Sequence, residues 1–534
     1  MSVETTPSKG RTQDLANELP KGTLIAACFA VCLAQAALNT PAAVSNLLQT
    51  ALHPVGTQLT WASNAFLLPL VVLALAFGAL GDRFGRKRLM VGGALVVMAG
   101  EATAAAGNGI HQVWVGQAIA GVGAAALFPT SLTMIAAGTR TTRDRARTIA
   151  IWAAALGGGA LVAQALRAAS GEDGSWRWPF GLLAGLAAIT ALVCRLLARD
   201  SSAPQRRSLD LAGQITVGVG LLALFYAVVE GGASSWSDTG VIICFVVAAV
   251  FIALFLVVEL RAHAPLLRLR LFTDRAYAVS SFVAVVGMFA YFGTVYAISI
   301  RVGIVQGQSA FHVGGALIIL HVFTLLHLPV HVRLLERFSS RWTLAAGLAL
   351  IAAGNFIAAS LPISDKTLGS IVLALTPVGM GFALVLASVT ATAVNSAPVR
   401  DAGMTGASTS MLRNLGFALG PVVIGAIALS HATSRFNTDL ASAPLPPQAK
   451  GAIGAIADVG GPLAVNAIPQ SSPAGAAQSI AFEALGSGYS LGFLVCGIAA
   501  LVACALAVVV RPGHGPGPVA EEVASPPEAE QASV

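Results

Sequence analysis

The feature that most constrains this chain is a series of long apolar stretches, separated by short connectors that carry Gly, Pro and charged residues. A stretch of about 20 mainly apolar residues is long enough to cross a bilayer as a helix. Fourteen such stretches occur, at residues 22–43, 60–80, 89–109, 112–137, 147–168, 178–198, 210–230, 239–259, 277–299, 310–331, 342–361, 367–394, 405–430 and 487–510. The pattern therefore predicts an all-α polytopic membrane protein whose surroundings are the lipid bilayer.

The composition excludes several other classes of protein. Of the 534 residues, 56% are hydrophobic and 10% are charged, whereas about a quarter of the residues in a soluble domain are charged. A soluble globular protein, a disordered chain and a nucleic-acid binder are all excluded, despite a formal net charge of +7. The preference for Arg over Lys, with abundant Ala and Gly, points to a bacterial origin.

The positions of the basic residues predict the orientation of the chain. Cytoplasmic connectors of membrane proteins are enriched in Lys and Arg. When the fourteen stretches are taken as spans, alternate connectors hold 25 of the 31 basic residues. This asymmetry predicts a multi-pass protein of the plasma (inner) membrane with both termini in the cytoplasm, and it explains the net positive charge.

The connector after the second span carries the most specific motif. It reads Gly78-Ala-Leu-Gly-Asp82-Arg83-Phe-Gly85-Arg86-Lys87-Arg88. This string resembles the signature loop of the major facilitator superfamily, and a degraded copy follows the tenth span at 333–341. Such an echo is expected when two six-helix halves are related by internal repetition. The resemblance implies that Asp82, Arg83, Gly85, Arg86 and Lys87 form a conformational gate at the inner face.

Within that superfamily the chain resembles the fourteen-span drug/proton antiporter branch over residues 22–510. Supporting strings are Ser175-Trp176-Arg177-Trp178-Pro179-Phe180, Leu209-Asp210-Leu-Ala-Gly213, Val229-Glu230-Gly231-Gly232 and Arg413-Asn414-Leu-Gly416. The last string implies that Arg413 serves the inner gate. The implied fold is the major facilitator fold, with two six-helix halves and two extra central helices.

This resemblance and the span pattern together predict the domain organisation. The expected units are a cytoplasmic segment at 1–21, a six-helix half at 22–198, two extra transmembrane helices with connectors at 199–276, a second six-helix half at 277–511 and a disordered cytoplasmic tail at 512–534. The second half includes residues 431–486, which are rich in Ala, Pro, Gly and Ser. We expect this segment to form a long external loop.

The chain departs from the antiporter pattern at positions associated with proton coupling. Asn39 stands where the family usually has an Asp, and Gln117 stands where it usually has an Arg. In the fifth span the Gly-Pro motif is replaced by a segment that contains Gln164 and Arg167. Because an amide cannot carry a proton in the physiological pH range, these changes leave the coupling ion open.

Polar residues form a stripe on one face of the first span. The stripe comprises Cys28, Cys32, Gln35, Asn39 and Asn46, which fall within about 60° on a helix. Two interpretations are open, a contact between helices and a face that lines a substrate cavity. We expect the second, with Gln35, Asn39, Asn46, Gln117, Gln164 and His321 along the path.

Two titratable residues at membrane depth are candidates for proton coupling. Glu101 lies about twelve residues into the third span, and His321 lies near the middle of the tenth. A structural hydrogen bond to a neighbouring span is the alternative for Glu101, and a packing role is the alternative for His321. His327 and His331 are spaced i, i+4, but no acid or thiol lies nearby in the sequence, so we expect no metal site.

Arg167 and Arg301 lie at the external ends of the fifth and ninth spans. Their long side chains can reach the membrane interface, or they can attract anionic substrates or hold an external gate. Both interpretations remain open for these two residues.

The sequence as a whole predicts a secondary transporter that exports amphipathic small molecules by alternating access. Proton coupling is implied by the resemblance and left open by the residues. The alternatives are an uncoupled facilitator or importer of the same fold, and a membrane sensor that does not transport. No nucleotide-binding motif or nucleophile–base arrangement is apparent, so we expect no enzyme activity and no cofactor. We expect the protein to act as a monomer.

Overall fold

The computed structural model describes residues 20–54, 57–139, 142–171, 174–200, 210–233, 235–262, 265, 269–273, 275–326, 340–395, 402–466, 468, 475 and 477–509. The predicted tail at 512–534, the histidine pair His327 and His331, and residues 333–339 of the echo of the signature loop lie outside the described residues. Asp82 lies within a described helix, but its side chain is not among those described.

All regular structure in the described ranges is helical. The α-helices are α1 (Lys21–Ala43), α2 (Ser45–Leu52), α3 (Gln58–Phe84), α4 (Arg86–Ala105), α5 (Ile110–Gly138), α6 (Thr142–Ala169), α7 (Arg177–Leu197), α8 (Leu211–Ala233), α9 (Thr239–Arg261), α10 (Arg275–Ser299), α11 (Ala310–Leu326), α12 (Ser340–Ser360), α13 (Leu368–Asn395), α14 (Ala402–Ser442), α15 (Pro447–Asn466) and α16 (Gln478–Val509). A 3₁₀ turn at Leu269–Thr273 precedes α10, and a π-helical turn at Ile300–Val305 follows it.

The predicted spans coincide with helices of the structure. Among the described residues, twelve helices are long and apolar enough to cross a membrane. The predicted spans 60–80 and 310–331 correspond to α3 and α11, whose apolar parts are shorter, Gln58–Ala74 and His312–Phe323. An all-α polytopic membrane protein is therefore confirmed. The count of fourteen spans is consistent with the structure.

The same set of helix contacts occurs twice. Helix α1 packs against α5, α6 and α7, as α10 packs against α13, α14 and α16. Helix α4 packs against α5 and α7, as α12 packs against α13 and α16. The two sets meet where α3 contacts α14 and where α11 contacts α6. This duplicated arrangement is the one expected of an internal structural repeat.

Helices α8 and α9 pack against each other, and α8 also contacts both sets, through α3 and α14. Near the end of α8, Glu230 accepts hydrogen bonds from Thr57 Oγ1 at 2.8 Å and from Trp61 Nε1 at 3.4 Å. Gly232 lies so close to Ala426 of α14 that a Cβ there would be 2.4 Å from the Ala426 Cα. Helix α8 is thus attached to both sets at this end of the bundle.

Two predictions about local structure were wrong. Asn46 does not lie on the first span, because α1 ends at Ala43 and Val44 leaves helical geometry (φ −98°, ψ 9°) before α2 begins. Pro41, which lacks an N–H, weakens the helix at the same point. The predicted loop 431–486 is largely helical, since α14 continues to Ser442 and α15 follows.

The helical external segment has a physical basis in its composition. It is rich in Ala, the residue with the highest helix propensity, and it forms its own apolar cluster from Phe436, Leu440, Ile453, Val465, Ala477, Ala481 and Ala484. Helix α15 bends at Gly461, which has a φ of +65° and precedes Pro462.

Candidate functional site

A cavity of about 680 Å³ lies at the end of the bundle that the basic residues predict to be external. From the first set of helices and its connector, the cavity is lined by the end of α1, by α2 and by the start of α3. From the second set, it is lined by the end of α10, the middle of α14 and the start of α16, together with α15. Its polar lining includes Ser45, Gln49, Thr60, Tyr296, Lys366 and Tyr489. A volume of this size is typical of a site for a small organic molecule.

Tyrosine side chains join the two sets of helices at this cavity. Tyr296 on α10, Thr60 on α3 and Tyr489 on α16 all line this cavity, with the Tyr296 hydroxyl close to the side chains of the other two. Gly425 on α14 packs on the same ring, since a Cβ there would be 3.1 Å from the Tyr296 hydroxyl oxygen. Aromatic rings with polar tips therefore line the region where the sets meet.

Lys366 lies on the connector between α12 and α13. The Gln306 side chain anchors this connector, because its Nε2 donates to the carbonyl oxygens of Ile363 at 2.8 Å and Asp365 at 3.0 Å. The Lys366 ammonium lies 5.7 Å from the centre of the Phe482 ring, within the range of a cation–π interaction. From its sequence Lys366 is only an external basic residue, so its place in the cavity was not predicted.

The neighbouring acid, Asp365, is directed into its own turn. Its Oδ1 accepts hydrogen bonds from the Thr367 backbone N–H at 2.9 Å and from Thr367 Oγ1 at 2.7 Å. Hydrogen bonds from the side chains of Ser370 and Thr367 lower the pKa of the Asp365 carboxyl to about 2. Asp365 therefore stays ionised while its carboxylate is bound at the start of α13.

The residues predicted to line the path lie elsewhere. None of Gln35, Asn39, Asn46, Gln117, Gln164 and His321 is among the described residues that line this cavity. Asn39 Nδ2 donates to the Gln35 carbonyl oxygen at 2.8 Å, and Gln35 packs beside Gly159 of α6. Gln164 is also buried, with 2% of its surface exposed. Their role on the path stays a prediction.

The two coupling candidates are buried at helix contacts. Glu101 on α4 is fully buried, and Gln117 Nε2 on α5 donates to Glu101 Oε2 at 3.4 Å. This is the hydrogen bond to a neighbouring span that was the alternative for Glu101. His321 Nδ1 lies 2.8 Å from the Leu317 carbonyl oxygen, and its ring meets Tyr291 edge-on at 5.7 Å. Their coupling role stays a prediction.

The signature loop forms a tight junction between α3 and α4. Gly85 has a φ of +97°, and a Cβ at this position would lie 2.8 Å from Asp200 Oδ1. The same Oδ1 accepts a hydrogen bond from the Lys87 backbone N–H at 3.3 Å. An acid is favourable at the start of α4 because a helix N-terminus carries partial positive charge. The role of Asp200 was not predicted, since nothing in its local sequence indicates contact with α4.

The two arginines of this loop differ in environment. Arg86 is buried, and its Nη1 donates to the Thr133 carbonyl oxygen of α5 at 3.3 Å. Arg83 is exposed, and its guanidinium lies 5.2 Å from the centre of the Phe84 ring. The structure thus joins Gly85 and Lys87 to Asp200, just beyond α7, joins Arg86 to α5, and leaves Arg83 at the surface.

Arg413 forms an aromatic contact in the half of the bundle opposite the cavity. Its guanidinium lies 5.5 Å from the Trp152 ring centre on α6 and 5.8 Å from that of Phe417. Trp152 is fully buried and donates from Nε1 to Ser131 Oγ at 3.1 Å. The contact links the two sets of helices. Trp152 was missed, although tryptophan away from the membrane interface is a detectable signal.

The external arginines anchor backbone rather than line the cavity. Arg301 is buried and donates to the carbonyl oxygens of Ala358, Leu361 and Pro362, at 3.3, 2.7 and 2.8 Å. Ala358 lies in the last turn of α12, and Leu361 and Pro362 follow it directly. A cation is favourable at this C-terminal end of a helix. Arg167 donates to Asn46 Oδ1 at 3.3 Å and to the Gly171 carbonyl oxygen at 2.9 Å. An effect of either residue on substrates stays a prediction.

Comparisons with known proteins agree with this architecture. The chain is 27% identical to the tetracenomycin C resistance and export protein of Streptomyces glaucescens. This match extends over 505 residues and covers 92% of each chain. It is 27% identical over 370 residues to the multidrug resistance protein Stp of Mycobacterium tuberculosis, with 69% of this chain and 68% of that protein covered. It is 26% identical to the methylenomycin A resistance protein of Bacillus subtilis, over 70% of this chain and 80% of that protein.

The crystal structure of the human organic anion transporter MFSD10 (TETRAN) has a similar fold. The TM-score is 0.56 at 14% sequence identity, and the match covers 90% of this chain and 99% of that one. The family model of the Major Facilitator Superfamily matches residues 25–421. Together with the duplicated helix packing and the signature loop, this match shows that the chain belongs to the Major Facilitator Superfamily.

Proposed function

We propose that this multi-pass membrane protein exports amphipathic small molecules by alternating access. The observation that carries the proposal is the 680 Å³ cavity at the predicted external end, combined with the Arg413–Trp152 contact that fills the opposite part of the bundle. The names of the three relatives, which refer to drug or antibiotic resistance, support the same function. We place the protein in the plasma (inner) membrane of a bacterium, as a monomer with both termini in the cytoplasm.

Alternating access requires one end of the bundle to open as the other closes. In our proposal, the six-helix halves 22–198 and 277–511 move relative to each other around the central cavity. Opening towards the cytoplasm separates Arg413 from Trp152. Substrate leaves while the external end is open, and closing of this end then brings the surroundings of Tyr296 and Thr60 together.

The signature loop supports this motion at the inner face. Gly85 permits the sharp junction between α3 and α4, while Asp200 holds the start of α4 through the Lys87 backbone. Arg86 ties the same junction to α5 through the Thr133 carbonyl oxygen. We propose that Asp82 and Arg83 contribute to this gate in one of the two conformations, as the family resemblance implies.

Proton coupling is a separate part of the proposal, assigned to Glu101 and His321. Each is a buried titratable group at a contact between helices, so uptake or loss of a proton would change the contact strength of α4 with α5 or of α11 with α10. A conformational cycle can be coupled to a proton only if the two conformations differ in proton affinity. Asn39 and Gln117 make an uncoupled facilitator or importer the second candidate.

The test uses inside-out vesicles from cells that express the full chain, with an imposed pH gradient. Tetracenomycin C and a series of dansyl compounds of different charge serve as probes. We expect accumulation in the vesicles that is lost when nigericin collapses the gradient. The double variant Glu101→Gln/His321→Gln is expected to remove the gradient dependence, whereas the control Glu483→Gln/His312→Gln keeps it.

Each other outcome points to a different conclusion. Gradient-driven accumulation that survives the double variant excludes both coupling residues and leaves export standing. Movement that ignores the gradient supports the facilitator. If no probe moves in vesicles that contain folded protein, the export proposal fails and a sensor becomes the better interpretation.

A further inference from the structure

The external cavity has an unusual balance of charge for a site that binds drugs. Lys366 is the only charged side chain among the described residues that line it. The other polar lining groups are neutral hydroxyls and amides, including Gln49, Gln306, Asn466 and Gln478. A cation that enters this cavity therefore meets a like charge, with no carboxylate in the described lining to offset it.

Acidic groups on the surrounding elements are held outside the described lining of the cavity. Asp365 is bound by Thr367, and Glu230 accepts hydrogen bonds from Thr57 and Trp61. The exposed acids Asp458 on α15 and Glu483 on α16 are also absent from the described lining. Lys366 is therefore the one formal charge that the described lining presents directly to a ligand.

The cavity also presents hydrogen-bond acceptors and aromatic surfaces to a ligand. Gln306 is 4% exposed, and within the described part of the chain its Oε1 has no hydrogen-bond partner, although its Nε2 donates to two carbonyls. Gln478 Oε1 is likewise buried without a partner among those residues. Because an unpaired buried acceptor is costly, a hydroxyl or N–H of a ligand is the natural partner for each.

The opposite end of the bundle carries a second cation, Arg413, for which the described residues supply no counter-charge. Arg413 is 2% exposed, and its Nε and Nη2 have no hydrogen-bond partner among the described residues. Its guanidinium lies near the ring of Trp152, across the contact on α6, and near the ring of Phe417 on its own helix α14. A buried unpaired cation is expensive, so an anion that passes this point would be stabilised by it.

We propose that the exported molecule is an aromatic anion, which places its acidic group at Lys366 and a hydroxyl or N–H donor at Gln306. The proposal rests on the export function above and names the substrate class of the same cavity. The rings of Phe482, Tyr296 and Tyr489 pack against the aromatic part. Arg413 then meets the same negative charge when the inner end opens.

The test compares three dansyl compounds that differ in charge, dansylglycine (anion), dansylamide (neutral) and dansylcadaverine (cation). Binding is measured by fluorescence titration of the purified full chain in phosphatidylcholine nanodiscs, which contain no anionic lipid to compete. We expect the order anion, neutral, cation from tightest to weakest. Lys366→Gln is expected to weaken dansylglycine binding about tenfold, as for the loss of one charged hydrogen bond, and to change dansylamide binding less than about twofold.

Three further variants make the result specific. Lys366→Arg is expected to keep the preference for the anion, and Lys366→Glu to reverse it. Lys450→Gln removes a cation of the external segment whose ammonium donates to the Ala441 carbonyl oxygen and which is not among the lining residues. We expect this control to leave all three dissociation constants unchanged.

The inference and the export function can fail separately. Equal binding of the three compounds, a preference for dansylcadaverine, no binding of any of them, or an unchanged preference in Lys366→Gln would overturn the inference. If gradient-driven export occurs in vesicles without preference for the anion, the function stands and the inference fails. If the anion binds selectively but no compound is exported, the cavity chemistry stands and the proposed function fails.

Discussion

The two sets of six helices use the same backbone contacts. A Cβ on Gly159 would lie 2.2 Å from the Cys32 carbonyl oxygen, and one on Gly416 would lie 2.3 Å from that of Val285. A second glycine contact is also duplicated, since Gly93 meets Gly123 between α4 and α5 as Gly347 meets Gly381 between α12 and α13. Glycine allows transmembrane helices to approach closely, so these positions hold the repeated geometry.

The side chains that fill this common geometry are different. Gly159 contacts Cys32 on α1, and Gly416 contacts Val285 on α10. Counted along the chain from these two contacted residues, Gln35 and Asn39 correspond to Met288 and Phe292.

The second set accordingly contains an aromatic cluster. The rings of Tyr291 and Phe382 are stacked at 3.6 Å, and those of Phe292 and Phe417 lie 4.2 Å apart. The comparison teaches that backbone contacts preserve the fold while the polar content of each set changes independently.

The largest expected effect comes from breaking the shared backbone contact. Gly159→Val and Gly416→Val both place a side chain against a backbone carbonyl that cannot move aside. We expect each to lower the free energy of unfolding by about 3 kcal/mol, the upper range of over-packing costs. Fluorescence-detected size-exclusion chromatography after heating measures the loss. Gly158→Val is the control, because nothing lies within 4 Å of a Cβ there. If Gly159→Val and Gly416→Val are as stable as Gly158→Val, the two backbone contacts do not have the shared role that we assign to them.

A smaller effect is expected at the contact between Arg413 on α14 and Trp152 on α6. Trp152→Leu and Arg413→Leu remove a cation–π interaction worth about 1–2 kcal/mol when desolvated and favour opening of the inner end. The labelling rate of a cysteine introduced at Ser45, which lines the external cavity, should then fall about tenfold, the equivalent of 1.4 kcal/mol. Phe84→Leu removes the exposed contact with Arg83 and should change nothing. Unaltered labelling in both test variants would exclude a gating role.

The smallest effect is expected for the substitution Glu101→Gln at the α4–α5 contact. Glu101 in the first set follows the close-packed Gly100, and Asn355 in the second set follows the close-packed Gly354. Both side chains are fully buried. Glu101→Gln gives the first set a neutral amide like that of the second. Because Gln117 keeps a partner, we expect the melting temperature to stay within about 2 °C.

The matched variant Glu101→Leu leaves Gln117 without its partner. This substitution should cost about 1–3 kcal/mol of stability, measured in the same melting assay. Equal destabilisation by Gln and Leu would mean that the carboxyl itself is needed for the contact.

Much of the fold could be predicted because each span forms its backbone hydrogen bonds within itself. The positions of the helices therefore follow from local apolar content, as they did for α1, α5 and α16. The exceptions had local causes that the apolar pattern conceals. Pro41 and Val44 end α1 before Asn46, and Ala-rich sequence makes helices of 431–486 where a loop was expected.

The candidate site was harder to predict because a span is apolar on most of its surface. The stripe on α1 indicated which residues share a face, but periodicity cannot tell whether that face meets water, a ligand or another helix. Gln35 and Asn39 consequently lie away from the cavity that the structure describes. Lys366, on a polar connector, became part of the cavity lining only because Gln306 and Asp365 hold that connector in place.

The sequence alone determined a polytopic helical membrane protein, its predicted orientation and its signature loop. The reason is that hydrocarbon has no water to satisfy backbone groups, so every span must be a helix wherever its sequence is apolar. Only the tertiary structure decided which side chains meet, such as Asp200 with Lys87 and Arg413 with Trp152. These contacts join residues far apart in the chain, and close packing of glycine-rich faces, rather than local hydrophobicity, brings them together.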